Sequence, residues 1–320
     1  MKRIFLPSDS LRADIHLIGY PPMGESQVFI LKDIVTETVY YSAVIDCYTY
    51  ESINKTIDIL NEYGLKKIDL LCWTHPDDDH SIGINDLVEL FCTPDTKILL
   101  PEGIYGSPQD LVKYTPEILE FFQSIKTNNQ NKNYNVNSAT VITGQTQGVE
   151  KIIFTESLRE IKFHIKVLAP CSAIIRRRME NGLSKKNDIS IALIIELGEL
   201  SFFLTGDIEN QTINLLPAEQ LANLTYLKTP HHTSKSSNSL LSIFSGFKGG
   251  YKIPYTCSTA YRKHDLPNEE LIDDYRFYTD SFFTTHDDGS SEVYGIIKVE
   301  FNPFDNSAED TLYGCARKLY

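Results

Sequence analysis

The chain has 320 residues, of which 42% are apolar and 23% charged, and its formal net charge is −13. That length supports one large core, and the acidity disfavours binding of bulk nucleic acid except through a local basic patch. No run approaches the ~18 apolar residues of a membrane span, and the N-terminus lacks the apolar stretch and cleavage site of a secretory signal, so the expectation is a cytoplasmic protein without membrane contact.

In chain order, "DIHLIGY", "SQVFILKD" and "YYSAVIDCY" read as strands, the first two joined by a glycine- and proline-bearing turn. "TYESINKTIDILNEYG" places Ile53, Ile57, Ile59 and Leu60 at helical spacing and stops at Gly64. "LKKIDLLCWTH" returns as a strand, "INDLVELF" as a helix and "TKILLPEG" as a strand, an alternating α/β pattern. Residues 107–125 read as helix, and the asparagine-rich stretch 126–138 as an exposed loop. "IKFHIKVLAP" is a strand, residues 176–188 a basic loop, and "ISIALIIELGELSFFLTGD" a hairpin. "TYLKTPHH" and "DDGSSEVYGIIKVEF" supply two further strands. This pattern suggests one domain over residues 1–320 with a helical and polar-loop insertion around 105–150. Six cysteines (Cys47, Cys72, Cys92, Cys171, Cys257 and Cys315) show no paired spacing and read as reduced core residues.

Three of the apolar strands end in metal-ligating side chains. The first delivers His75, Asp77, Asp79 and His80, the second Asp207, and the third His231 and His232. Strands of one sheet can bring such ends to a common edge, where open α/β folds keep their sites. Imidazole and carboxylate together suit Zn²⁺ or Mn²⁺, and seven donors exceed what one tetrahedral ion uses. Two divalent metal ions are therefore expected, with Asp207 a natural bridge, and such a pair lowers the pKa of a bound water towards ~7 to give a hydroxide nucleophile. The catalytic expectation rests on Asp79, Asp207 and His232. The aspartate triplet does not fit a calcium loop, since His80 stands where that loop needs glycine, and no phosphate-cradling GxxxxGK[ST] occurs.

The ordered set "THPDDDHSIGI", "FLTGDIE" and "LKTPHHTSKSS" resembles the metallo-β-lactamase superfamily, and within it the ComEC-like, competence-protein branch. The resemblance spans roughly residues 14–300. It implies an αββα four-layer sandwich with mixed sheets and a dinuclear site at one edge. Carried over residue by residue, His75 and Asp77 would hold one metal, Asp79 and His80 the other, Asp207 would bridge, and the His231/His232 pair would add a ligand. Asp77 occupies a position where many relatives carry histidine, which favours harder ions such as Mn²⁺. "HHTS" stands where the family has H-H-G-S, placing the Thr233 side chain beside the site. His164 reads as a core or sheet-face residue, the role of Asn187-Asp188 is open, and His264 is a candidate substrate or metal contact.

The activity expected first is metal-dependent phosphodiester hydrolysis, by a nuclease or phosphodiesterase. Ser234, Lys235 and His264 are the candidate substrate contacts. Residues 176–187, with five cations against one glutamate, are a possible nucleic-acid track. Alternatives are a lactone, thioester or β-lactam hydrolase using the same metals on a carbonyl, or a non-catalytic metal-stabilised binding module. Substrate identity, native metal and oligomeric state are not encoded legibly.

Overall fold

Alternating apolar residues bury both faces of the early strands, and this builds the layers. The computed structural model describes residues 2–6, 8–104, 114–130, 134–156, 159–181, 186–247, 250, 252–286 and 291–320. Its strands are β1 (Lys2–Phe5), β2 (Leu11–Gly19), β3 (Glu25–Asp33), β4 (Val39–Ile45), β5 (Leu70–Cys72), β6 (Lys97–Pro101), β7 (Asn135–Ala139), β8 (Gln147–Glu156), β9 (Arg159–Ala169), β10 (Ala192–Leu197), β11 (Leu200–Leu204), β12 (Tyr226–Lys228), β13 (Tyr255–Ser258), β14 (Phe282–Thr284), β15 (Gly295–Phe301), β16 (Ala308–Gly314) and β17 (Arg317–Lys318). One sheet runs β16-β15-β2-β3-β4-β5-β6-β7 and the other β1-β8-β9-β10-β11-β12-β13-β14-β17. Both are mixed: β2, β3 and β4 pair antiparallel while β4, β5 and β6 pair parallel, and β9, β10 and β11 pair antiparallel while β11, β12, β13 and β14 pair parallel.

Leu11, Ala13, Ile15, Leu17, Phe29 and Leu31 of the first sheet meet Phe163, Ile165, Leu193, Ile195, Phe202 and Leu204 of the second in one buried cluster. The opposite face of the first sheet, with Ile18, Val28, Ile30 and Val44, packs on helices α1 (Lys55–Glu62) and α2 (Ile84–Phe91) and on the helix Pro116–Gln130 through residues such as Leu60, Leu87 and Phe121. The outer face of the second, with Leu168, Ile194, Phe203 and Leu227, packs on helices Ser239–Ser245 and Glu269–Tyr275. Helix, sheet, sheet, helix is the four-layer αββα sandwich expected from the sequence. Burying a large apolar side chain contributes about 1.5–3 kcal/mol, so the face shared by the two sheets carries much of the stability.

Several local readings are corrected. The segment 126–138 is not all loop: the helix continues to Gln130, and Asn135 opens β7. Of the helix read over 107–125, residues 107–113 lie outside the described residues. The basic stretch is not simply a loop either, because Ser172–Asn181 is helical and Lys186–Ile189 forms a single 3₁₀ turn. Helical apolar residues Ile174 and Ile175 precede the arginines and carry them into the helix. No cysteine is in a disulfide, and five of the six are buried. Among the described residues no helix is long and apolar enough to cross a membrane.

Candidate metal centre

The parallel strands place the site. Ile45, Cys72 and Leu99 are in register on β4, β5 and β6, and Leu204, Lys228 and Cys257 on β11, β12 and β13, so these strands stop together at their C-terminal ends. That edge of both sheets is where an α/β fold opens a crevice.

Directly after β4, Asp46 takes a left-handed conformation (φ 60°) and turns its carboxylate onto the next strand end. It accepts from the Thr74 backbone N–H at 2.7 Å and the Thr74 hydroxyl at 2.6 Å, and from His80 Nδ1 at 2.7 Å. The loop after β5 is curled back by Trp73, whose indole donates to Ser81 Oγ, and by Ser81, whose hydroxyl donates to the Asp77 carbonyl. His75 and His80 thereby face one side with ring centroids 4.3 Å apart.

From the other sheet, Gly206 lets the chain turn after β11. Its φ is 51°, and a Cβ there would lie 2.6 Å from Ser190 Oγ and 2.8 Å from the Ile191 carbonyl, so only glycine fits. Asp207 N–H donates to Ser190 Oγ, aiming its carboxylate across at His75 and His80. After β12, His231, His232 and Thr233 adopt φ of 48°, 50° and 62°, three successive left-handed residues. This puts both imidazoles on the same carboxylate. The Thr233 side chain does not enter the site: its hydroxyl donates to Ser258 Oγ at 2.7 Å and bonds Thr229 Oγ1 at 2.8 Å.

One atom organises the cluster. Asp207 Oδ2 lies 4.0 Å from His75 Nε2, 3.4 Å from His80 Nε2, 3.9 Å from His231 Nε2 and 3.5 Å from His232 Nε2. The remaining carboxylates divide the imidazoles. Asp77 Oδ2 is 3.4 Å from His75 Nε2, whereas Asp79 Oδ2 is 3.5 Å from His80 Nε2 and 3.2 Å from His232 Nε2. His231 Nε2 meets Asp207 and approaches Asn187 Nδ2 at 3.4 Å, and the neighbouring Lys186 binds Asp77 Oδ1 at 2.8 Å. The structure thus brings together all seven donors expected from the sequence, and Asp207 stands between two sets of them.

The donor set fits divalent cations. Ligand atoms about 2.0–2.1 Å from one tetrahedral ion lie about 3.4 Å from each other, and most of these separations cluster there. Each imidazole has its Nδ1 occupied. His80 Nδ1 donates to Asp46. The Thr74 hydroxyl spends its hydrogen on Asp46, so it accepts from His75 Nδ1 at 2.9 Å. In the same way the Thr259 hydroxyl donates to Glu25 Oε2 and accepts from His232 Nδ1 at 2.7 Å. His231 Nδ1 meets Ser236 Oγ at 2.9 Å and Glu209 Oε1 at 3.3 Å. The Nε2 lone pairs are left to converge, the arrangement that outer partners impose on metal-bound histidines. His75 Nε2 and His80 Nε2 are buried with no hydrogen-bond partner, which is costly unless a cation completes them.

Burial opposes ionisation of Asp207, but His232, His80 and His231 hold its carboxyl well below the usual range. Burial also works against protonated His80, yet Asp207, Asp79 and Asp46 pull its pKa well above the ordinary imidazole value. The pocket is therefore built to keep its carboxylates charged and to attract positive charge.

Sequence reasoning missed the braces behind the ligands. Glu25 comes within 4.8 Å of the donors of His80, Asp207 and His232, but it is not a ligand. It faces the Nδ1 sides, and its oxygens are committed to Lys228 Nζ at 2.7 Å and Thr259 Oγ1 at 2.5 Å. Fully buried Lys228 also lies 3.6 Å from Asp207 Oδ1 and donates to the Gly206 carbonyl, so it holds one oxygen of Asp207 and leaves the other to the imidazoles. Asp46 was visible only through its strand, and Glu25 read as part of a turn.

The outer candidates fare differently. The Lys235 ammonium is bonded to Glu270 on the surface. Ser234 caps its own turn by accepting from Ser236 N–H at 3.3 Å. His264 packs on Tyr261 with centroids 5.0 Å apart, and Tyr261 in turn lies 5.3 Å from the His232 ring, so His264 reaches the rim through that tyrosine. His164 is a sheet-face residue of β9, its Nδ1 3.6 Å from Glu196, remote from the centre.

No family model matches the chain, and no curated protein matches it. Several solved structures are similar to it, among them these two. One is a diphosphatase from the PhnP family, 16% identical, covering 95% of this chain and 98% of that one with a TM-score of 0.41. The other is Zn²⁺-bound PqqB from Methylobacterium extorquens, 8% identical, covering 85% of this chain and 98% of that one with a TM-score of 0.39.

Proposed function

We propose that the chain is a dinuclear metal-dependent hydrolase of the metallo-β-lactamase type acting on phosphodiester bonds. The observation that carries this reading is Asp207 Oδ2, a single oxygen within 4.0 Å of four imidazole nitrogens, three of which Asp77 and Asp79 divide between them. On this reading His75, Asp77 and His231 would hold one cation, Asp79, His80 and His232 the other, and Asp207 both. When bound, two cations of the Zn²⁺ or Mn²⁺ kind supply a water acidic enough to react at neutral pH and offset charge growing on substrate oxygens.

The protein's own residues do the positioning. Asp46, Thr74, Glu25 and Thr259 fix which nitrogen of three imidazoles is bare, so little reorganisation is left for the reaction. Lys228 offsets part of the buried carboxylate charge without occupying the crevice. On the open side, His231 and Asp77 are partly exposed, and Lys186 and Asn187 sit beside them. An ammonium and an amide at this rim favour a substrate with anionic oxygens over a neutral lactone. Arg176 and Arg177 are exposed on the preceding helix, where they would meet a polyanionic strand, while Lys186 is turned inward onto Asp77. Arg178 and Lys185 lie among residues whose side chains are not described.

The test joins elemental analysis to turnover. The expected result is two metal equivalents per chain and metal-dependent cleavage of bis-p-nitrophenyl phosphate or single-stranded DNA, lost in Asp207→Ala. Turnover of lactones or thioesters without either phosphodiester would reassign the bond. Full metallation with no turnover of any of them would leave a binding module.

A further inference from the structure

A second cavity, of about 380 Å³, lies between α1 and the strands β2, β3, β15 and β16, on the helix-covered face of the first sheet. It is distinct from the metal centre. Glu25 pairs with Gly19, and His16 lies three residues back along β2, about 10 Å at the strand rise. Its size falls within the range of small-ligand sites.

The chemistry of its walls is unusual for this acidic chain. Lys32, Lys55 and Lys298 line it beside the carboxylates of Asp58 and Glu62. Asp14, fully buried behind them, draws two of them together, its Oδ2 lying 2.8 Å from Lys32 Nζ and 3.2 Å from Lys298 Nζ. The same two ammoniums share Glu300 Oε2 at 3.0 and 3.8 Å, and Lys55 holds Asp58 at 2.9 Å. The Glu300 and Asp58 side chains are 33% and 50% exposed. Such exposed pairs contribute little and exchange readily for a stronger anion, whereas buried Asp14 stays in place and keeps the cations converged.

Two further features select what accompanies the anion. Tyr63 donates to Asp14, so its oxygen accepts from His16 Nε2 at 3.0 Å, and His16 therefore carries its hydrogen on Nε2. His16 Nδ1 is then a lone-pair acceptor on a ring that lines the cavity. Burial keeps this imidazole neutral, pushing its pKa down to about 3. Tyr294 and Tyr313 add aromatic faces, and Lys55 already sits 4.6 Å from the Tyr294 ring centre.

We propose that this cavity binds a nucleoside monophosphate: a phosphate held by Lys32, Lys55 and Lys298, a base stacked on tyrosine, and a base or sugar N–H or O–H donated to His16. The site is independent of the metal centre and of the reaction assigned to it.

The test is calorimetric titration of the metal-loaded full chain with AMP, GMP, CMP and UMP, with adenosine and inorganic phosphate as separate probes. At least one nucleotide is expected to bind with a Kd below ~1 mM, more tightly than either adenosine or phosphate. Removing one charge-assisted contact, by Lys55→Ala or Lys298→Ala, should weaken it about tenfold, with metal content and circular dichroism unchanged. Tyr294→Ala should weaken the nucleotide but not phosphate. Binding should persist in Asp207→Ala. Absence of nucleotide binding in the wild-type chain, binding indifferent to both lysine substitutions, or binding lost in Asp207→Ala alone would each overturn the assignment, the last by placing the nucleotide at the metal centre. Since Lys298 also holds Asp14, Lys55→Ala, whose ammonium pairs with surface Asp58 and lies over the Tyr294 ring without touching Asp14, decides the matter if Lys298→Ala fails to fold.

Discussion

Replacing Lys228 with methionine removes a fully buried ammonium while keeping most of its volume. The lost contacts are the 2.7 Å pair with Glu25, the 3.6 Å approach to Asp207 and the hydrogen bond to the Gly206 carbonyl. Two buried carboxylates then lose their cation, and breaking a buried pair from one side typically costs about 3–5 kcal/mol. Against a total stability of roughly 5–15 kcal/mol this is a large fraction. With an unfolding entropy of about 2.1 cal/mol/K per residue, it corresponds to a fall in Tm of about 4–7 °C for a chain of this length. The measurement is urea unfolding of chelator-treated protein, where no metal offsets the stranded charge. The double variant Lys228→Met with Glu25→Gln removes both charges and should recover at least about 2 kcal/mol of the loss, since a neutralised pair is far cheaper than a broken one. A loss under ~1 kcal/mol in the single variant, or strict additivity in the double one, would refute the view that Lys228 neutralises the centre from behind.

Asp46→Asn keeps the shape but takes the carboxylate from His80 Nδ1, and metal affinity should fall about 10–100-fold in competition with a chromophoric chelator. Gly206→Ala meets Ser190 and Ile191 at under 3 Å in a left-handed conformation; a loss of about 2–4 kcal/mol is expected in denaturant titration, and metal stoichiometry should drop because Asp207 shifts. Chelation should lower Tm in a metal-concentration-dependent way, since free metal at 100 times Kd adds about 2.7 kcal/mol per site; a Tm indifferent to chelator would mean that the donors hold no ion.

The parts of the site legible in the sequence were those that violate local expectation. His75 to His80 and the His231-His232 pair put imidazole and carboxylate directly after buried strands, and no surface turn needs that chemistry. The strands were legible because β2, β3, β10 and β11 alternate or saturate in apolar residues, whereas the four-layer arrangement was implied by the family resemblance. The braces were not. Glu25 opens β3 directly after a glycine turn and Lys228 follows Leu227 in a short strand, and their meaning exists only where residues about two hundred positions apart touch. β8 escaped because its early residues are half-exposed and polar, and it forms a strand through its partners β1 and β9. The asparagine-rich stretch misled because composition reports solvent exposure, which a surface helix end and an outer strand share with a loop.

The three left-handed residues His231, His232 and Thr233 have a consequence for the metal-free protein. Outside glycine this conformation is disfavoured by roughly 1–2 kcal/mol per residue, so the turn is a loaded spring, held shut by threonine and serine hydroxyls and, on the proposed reading, by cations that its two imidazoles would hold. Taking the ions away removes that clasp here, whereas His80 on the opposite strand end is still gripped by Asp46. On the proposed dinuclear reading, amide hydrogens of residues 231–233 should therefore exchange faster on chelation while those around residue 80 barely respond.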